Sequence, residues 1–315
     1  MEMREIGTSG LKVAPWALGG NVFGWTADEP TSFKILDAFV DAGFNLIDTA
    51  DTYSRWIPGH VGGESETVIG KWLKQSSKRD KVVIATKVGM DMGGDKKGLS
   101  KTYILNEAED SLKRLQTDHI DLYQSHKDDP TAPLEETLEA YAQLVKQGKV
   151  RVIGASNYAA GRLEEALKTS ASKGIPRYQC LQPNYNLYDR EDYEKNLEPL
   201  ILKEKIGVIP YYALAAGFLT GKYRSEADLG KSPRGQGIKK YLNDRGFRIL
   251  QSLDEVAKEL SATPARVALA WMIARPGITA PIASATSLEQ FDDLLAGTRL
   301  KMTPSAMEKL HKASA

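Results

Sequence analysis

At 315 residues the chain is long enough for two domains, although single α/β barrels often run to this length. With 42% hydrophobic and 26% charged residues, 27 Gly and 14 Pro, its composition is that of an ordinary globular protein. A formal net charge of +1 gives no reason to expect nucleic acid or an anionic membrane as partner, and no apolar run has the length of a membrane span.

Strand and helix signals alternate along the chain. A short N-terminal hairpin is expected first, then a strand over Ala14-Pro15-Trp16-Ala17-Leu18 and a glycine pair, Gly19-Gly20. Ile35, Leu36, Phe39 and Val40 fall on one helical stripe that Gly43 can end. The run Phe44–Ile47 predicts a second strand ending at Asp48, followed by a helix near Ser65–Leu73. Val82–Thr86 predicts a third strand ending at Lys87, and Leu105, Ala108, Leu112 and Leu115 the helix after it. Ile120–Ser125 predicts a fourth strand ending at His126, with a helix opening near Pro133 whose Leu134, Leu138, Tyr141 and Val145 face one way.

The second half keeps this rhythm. Val150–Ala155 leads to Ser156-Asn157 and a helix over about Arg162–Lys168; Cys180–Gln182 leads to a helix over about Tyr193–Lys205. Val208–Tyr211 and Thr279–Ala283 complete eight strands, and Thr303–Ala315 adds a last helix that closes or borders a face. Eight strands, each trailed by helix and without a linker-like break, predict a single (β/α)8 TIM barrel domain over 1–315. A doubly wound open sheet is the alternative, but Gly19-Gly20 alone does not make its glycine-rich fingerprint. The one long connection, Thr220–Gly246 after strand seven, carries seven basic residues against three acidic ones and suits a phosphate-bearing ligand that it folds over.

Asp48, Lys87 and His126 each stand where a strand breaks off, and Tyr53 follows Asp48 by five residues. In a parallel barrel such ends share one face, so an acid, a phenol, an amine and an imidazole converge there as a proton-transfer site. Taken singly, each has a plainer reading as a cap, rim, surface or packed residue. The lone cysteine, Cys180, reads as a small buried residue. His60, His119, His126 and His311 form no metal-binding pair, so no metal site is expected. Met1–Ile6 lacks the apolar core of a signal peptide, and a cytoplasmic address is the expectation.

Several segments carry a resemblance. Asn45–Tyr53, Gly63-Glu64-Ser65-Glu66 with Ile69-Gly70, and His126–Asp129 leading to Pro133–Thr137 resemble the aldo-keto reductases. So do Gly148–Arg151 with Ile153–Asn157, Gln182 with Tyr185-Asn186-Leu187 and Arg190, and Gly217–Tyr223. The match runs through nearly the whole chain in order. It implies a barrel binding a nicotinamide cofactor in extended form, and a catalytic tetrad carried over onto Asp48, Tyr53, Lys87 and His126. It also implies Tyr211 as the ring that stacks on the nicotinamide, with Ser156, Asn157 and Gln182 suited to its carboxamide. Leu214, Gly217, Leu219 and Lys222 would then line the pyrophosphate path, and Trp25 and Trp56 would wall the substrate pocket or pack one loop onto another.

Two segments depart from the family pattern. Tyr211-Tyr212-Ala213-Leu214 lacks the proline of the usual Tyr-Ser-Pro-Leu, and no basic residue occurs from Ser284 to Asp293, where the adenosine phosphate is usually held. Ser284, Thr286, Ser287 and Gln290 remain as neutral ligands for it, so NADPH is expected with NADH possible.

The expected activity is reduction of a small-molecule aldehyde or ketone, with Tyr53 as proton donor, Lys87 lowering its pKa, Asp48 holding Lys87 charged and His126 orienting the substrate oxygen. A cofactor-binding regulatory subunit with little turnover is a second reading, since relatives of the fold serve potassium channels. A barrel isomerase or lyase that binds substrate phosphate through the basic loop is a third.

Overall fold

The computed structural model describes residues 1–315. An antiparallel hairpin of β1 (Arg4–Glu5) and β2 (Lys12–Val13) precedes eight parallel strands. These are β3 (Ala17–Gly19), β4 (Leu46–Asp48), β5 (Val83–Val88), β6 (Ile120–Ser125), β7 (Val150–Ser156), β8 (Cys180–Gln182), β9 (Gly207–Val208) and β10 (Ile282–Ala283). From β3 to β9 each pairs with the next in chain order, and β10 pairs with β3. The seam between β9 and β10 is closed by bonds from Thr279 N to Val208 O (2.8 Å) and from Ile282 N to Pro210 O (2.9 Å). The fold is the (β/α)8 barrel that the alternation of elements predicts.

Around it lie α1 (Glu29–Asp41), α2 (Glu64–Ser76), α3 (Lys101–Leu115), α4 (Leu134–Lys146), α5 (Ala160–Lys173) and α6 (Glu198–Glu204). They continue with α7 (Asp244–Glu259), α8 (Pro264–Ala274), α9 (Leu288–Arg299) and α10 (Pro304–Ser314). None is long and apolar enough to cross a membrane. Several predicted bounds shift. Ala14–Trp16 precede the first barrel strand, and Ile104 rather than Leu105 lies on the fully buried stripe of α3. The helix expected from Tyr193 begins with one π-helical turn, Tyr193–Leu197. The long connection is not featureless either: it forms two 3-10 segments, Glu226–Lys231 and Gly235–Tyr241, and α7 starts before its expected end.

The core has two compartments, and strand periodicity explains both. Inward-facing Ala17, Leu46, Val83, Ala85, Leu122, Val152, Cys180 and Ile282 fill the barrel, and Ile6, Leu11 and Val13 of the hairpin segment join this cluster. Alternate residues such as Leu18, Ile47, Ile84 and Ile153 face the helices in the larger core. Helices α2 and α3 approach so closely at Gly70 that a β-carbon there would lie 2.1 Å from Arg114 O. Burying this apolar surface contributes about 25 cal/mol per Å2 removed from water. It also fixes each strand's register, because a one-residue slip would turn the core face outward.

Candidate active site

The same period of two that fills the barrel builds the site. Leu46 faces inward, hence so does Asp48; Val83 and Ala85 face inward, hence Lys87; Cys180 does, hence Gln182. These residues lie past the apolar layer at the C-terminal ends of their strands, where barrel connections leave room for a ligand. The site opens into a cleft of about 1720 Å3 lined by Asp48, Tyr53, His126, Ser156, Asn157, Gln182, Tyr211 and Trp25. Leu214, Gly217, Lys222, Ser284, Thr286, Ser287 and Gln290 extend the same lining.

Asp48, Tyr53 and Lys87 are in direct contact. Lys87 is fully buried, and its ammonium donates to Asp48 Oδ2 at 2.8 Å, to Thr49 O at 2.7 Å and to Tyr53 Oη at 2.9 Å. Three acceptors match the three N–H donors of a charged lysine. Burial lowers the Lys87 pKa, and the Asp48 carboxylate opposes that loss of charge. Asp48 is held from its other side by Gln182 Nε2, which donates to Oδ1 at 2.8 Å.

The Tyr53 hydroxyl accepts from Lys87 and lies 3.4 Å from Asp48 Oδ2, too long for a strong bond. Its pKa corrects an expectation. Burial and the nearby Asp48 charge push the phenol well above its ordinary value, with Arg234 pulling the other way. The Lys87 ammonium also favours the phenolate, but the net direction is upward. Tyr53 therefore keeps its proton at neutral pH, the form a proton donor needs.

His126 packs with its ring 6.0 Å from that of Tyr53. Burial first, then the positive charges of Lys87 and Lys127, lower its pKa well below the usual histidine range, so the imidazole is neutral at pH 7. Its Nδ1 is enclosed without a hydrogen-bond partner.

On the opposite wall Asn157, in the left-handed region at φ 56°, donates to His126 O and to Ser156 Oγ, each at 3.0 Å. It accepts from the Tyr211 hydroxyl at 2.8 Å, while Ser156 Oγ donates to Gln182 O at 2.8 Å. Burial raises the Tyr211 phenol to about 12. The turn without its proline is sharply bent: Tyr212, Ala215 and Ala216 have φ of 56°, 48° and 55° before Gly217 at 102°. Three non-glycine residues in that region mark stored strain at the edge of the cleft.

Two expected residues lie elsewhere. Leu219 does not line the cleft but is fully buried. Trp56 is 48% exposed and packs edge-on against Tyr53 and Trp25, so it joins two loops instead of lining the cleft. Residues not anticipated from the sequence also enter. Asn21 accepts from Ser284 Oγ at 2.7 Å, and Arg266 on α8 reaches the Ser284–Asp293 end and pairs with Asp293 at 2.7 Å. Arg234, one of the seven basic residues of the long connection, lines the cleft as well. A helix-borne arginine has no local signal of a ligand role. Only the packing of α8 beside α9 brings Arg266 there.

The donor set fits a nicotinamide dinucleotide. Amides and hydroxyls flank Tyr211 at one end of the cleft, Lys222 and Arg234 offer cations along it, and the start of α9 offers backbone N–H groups beyond. The α9 start is satisfied internally: Ser287 Oγ accepts from Gln290 N, and Gln290 Oε1 accepts from Thr286 N and Oγ1. This reciprocal cap would have to open for Thr286 to meet a phosphate.

A family model described as "Aldo/keto reductase family" matches residues 15–315. The chain is 36% identical to the Bacillus subtilis protein called "Uncharacterized oxidoreductase YrpG", over 99% of this chain and 95% of that one. It is 35% identical to "Aldo-keto reductase YhdN" of the same organism, over 88% and 82%. It is 31% identical to a "Putative voltage-gated potassium channel subunit beta" of Schizosaccharomyces pombe, over 98% and 91%.

Proposed function

The chain belongs to the aldo/keto reductase family, an oxidoreductase family, and from that premise we propose that it reduces aldehydes or ketones with a nicotinamide cofactor and Tyr53 as proton donor. The observation that carries this reading is the Asp48–Lys87–Tyr53 chain, with 2.8 Å and 2.9 Å between successive groups. When bound, the cofactor supplies the hydride. Ser156, Asn157 and Gln182 would hold its carboxamide, Tyr211 its ring, and Leu214, Gly217 and Lys222 its pyrophosphate, all of which line the cleft. Ser284, Thr286, Ser287 and Gln290 would meet the adenosine end.

The protein's own part is proton control. Lys87 donates to the phenol oxygen, so the Tyr53 proton is free to turn toward the cleft and a substrate oxygen there. As that proton leaves, the phenolate forms beside an ammonium that is already in place, without solvent reorganisation. Neutral His126 can donate from its other ring nitrogen, Nε2, to the same substrate oxygen while its Nδ1 stays unprotonated. Trp25 bounds the substrate side.

NADPH is the expected cofactor, with a modest preference over NADH. The adenosine end offers neutral ligands and an Arg266 already shared with Asp293. We also propose a cytoplasmic address, on the single cysteine of the chain.

The test is Tyr53→Phe. Turnover of a panel of aldehydes and ketones is expected to fall by about 10²-fold or more, with the NADPH Kd within a few-fold. A variant keeping roughly a tenth of wild-type turnover would remove Tyr53 from this role.

Similarity to proteins named as potassium channel β subunits favours one further reading, a cofactor-binding regulatory subunit. Under it, wild-type protein binds NADPH but oxidises it very slowly whatever carbonyl is offered.

A further inference from the structure

The inward face of β6 carries a polar residue that the proton-transfer chain does not use. Leu122 points into the barrel, hence so does Gln124, and parallel register sets it level with Lys87 on β5 and Gly154 on β7. Gln124 is fully buried. Its side chain crosses β7 to reach β8, and Gly154 leaves the room for it: a β-carbon there would lie 3.1 Å from Gln124 Cγ. On β8 it meets Gln182, whose Nε2 donates to Gln124 Oε1 at 3.4 Å and to Asp48 Oδ1 at 2.8 Å.

These two bonds fix the Gln182 amide. A carboxylate only accepts, so Gln182 must turn its NH2 group to Asp48. That bond alone would let the amide swivel about it. The second bond, weak at 3.4 Å, adds direction more than stability and sets the amide plane. Both N–H donors are then used, and Oε1, which accepts nothing within the chain, is what Gln182 presents to the cleft that it lines. Gln124 keeps its place against its own interest, because its Nε2 is enclosed without a partner. A buried unpaired donor is destabilising, and an apolar side chain of the same shape would avoid it. What an apolar residue could not supply is the acceptor for Gln182.

We propose that Gln124 is a positioning residue of this site, locking the Gln182 amide so that only an acceptor, Oε1, meets the carboxamide N–H donors of a nicotinamide. The assignment rests on reading the cleft as the seat of a nicotinamide dinucleotide. It ties that seat to the Asp48–Lys87–Tyr53 chain, because the amide that receives the carboxamide also holds Asp48 Oδ1.

The experiment uses the full chain with two variants. Gln124→Met removes the acceptor at similar length, and Gln124→Glu keeps an acceptor oxygen whether or not it is protonated. Kd is measured by protein fluorescence for NADP+ and for its 3-acetylpyridine analogue, in which a methyl replaces the carboxamide NH2. Wild type is expected to bind the analogue about tenfold more weakly, since Gln182 Oε1 is left unpaired. In Gln124→Met this preference shrinks to about threefold or less, while the melting temperature is equal or higher. In Gln124→Glu the preference returns toward wild type. A Gln124→Met preference within about twofold of wild type overturns the proposal, as does a wild-type preference near one or a Gln124→Glu preference as small as that of Gln124→Met. A Gln124→Met protein that melts well below wild type gives Gln124 a purely structural role and overturns it too. Wild-type protein that binds NADP+ but reduces no aldehyde or ketone refutes the reductase reading, and the two Kd values still decide Gln124.

Discussion

A single ammonium ties the proton-transfer groups together. Lys87 has three acceptors, Asp48, Thr49 O and Tyr53, and no solvent exposure, so nothing else can take its place in that arrangement. In Lys87→Met the Asp48 carboxylate stays 3.4 Å from the Tyr53 hydroxyl with no cation between them. Both effects on the phenol then act in one direction: the phenolate loses its stabiliser and faces an unscreened negative charge. Turnover is expected to fall by about 10²-fold or more, and the apparent pKa of alcohol oxidation to move upward. An active Lys87→Met enzyme with an unchanged pH profile would show that Lys87 does not act on Tyr53.

Among the elements, α9 separates a structural role from a ligand-binding one. Its first turn is capped by Ser287, while Gln290 reaches back to Thr286. Ser287→Ala is expected to cost about 0.5–2 kcal/mol of stability in urea unfolding, whether or not cofactor is present, because it removes the cap. Thr286→Ala leaves that cap in place. If the adenosine 2′-phosphate binds here, this variant weakens NADPH and spares NADH, so the ratio of their Kd values falls toward one. A ratio untouched by both substitutions would place the phosphate elsewhere, for example at Arg266. The sequence shows Ser287 as a helix start plainly. It cannot show that Gln290 already occupies Thr286, since that depends on which way one side chain folds back.

For the molecule as a whole, the buried acids beside the barrel make stability depend on pH. Asp51 is fully buried with neither carboxylate oxygen hydrogen-bonded; the charges of Glu66 and Glu107 bear on it, and that of Arg114 opposes them. Burial and the neighbouring carboxylates raise its pKa well above the ordinary value. The folded protein therefore holds a proton that the unfolded chain releases. Asp51's contribution is complete below the unfolded carboxylate value near ~4 and is lost as pH rises toward the folded value. Asp51→Asn has no proton to lose, so its melting temperature should gain on wild type as pH rises from about 5 to about 8. A constant difference across that range would mean that Asp51 is not held protonated.

The eight-strand alternation and the identities of Asp48, Tyr53, Lys87 and His126 were legible in the sequence. These signals are local: apolar runs mark strands, a polar residue ending such a run lies at a barrel rim, and Tyr53 follows one of these ends by five residues. The electrostatics were not local. The Tyr53 phenol moves up where a neighbouring lysine alone suggested down, because burial and Asp48 outweigh the cation, and burial is a property of the assembled barrel. The positions of Arg234 over Trp25 and of Arg266 beside Asp293 join residues some 200 and 27 positions apart, and no spacing in the chain encodes either contact. Sequence alone determined which groups reach the C-terminal rim. Tertiary packing decided which are charged, which are already paired, and which remain free to meet a ligand, because desolvation and pairing depend on every chain segment that closes around the cleft.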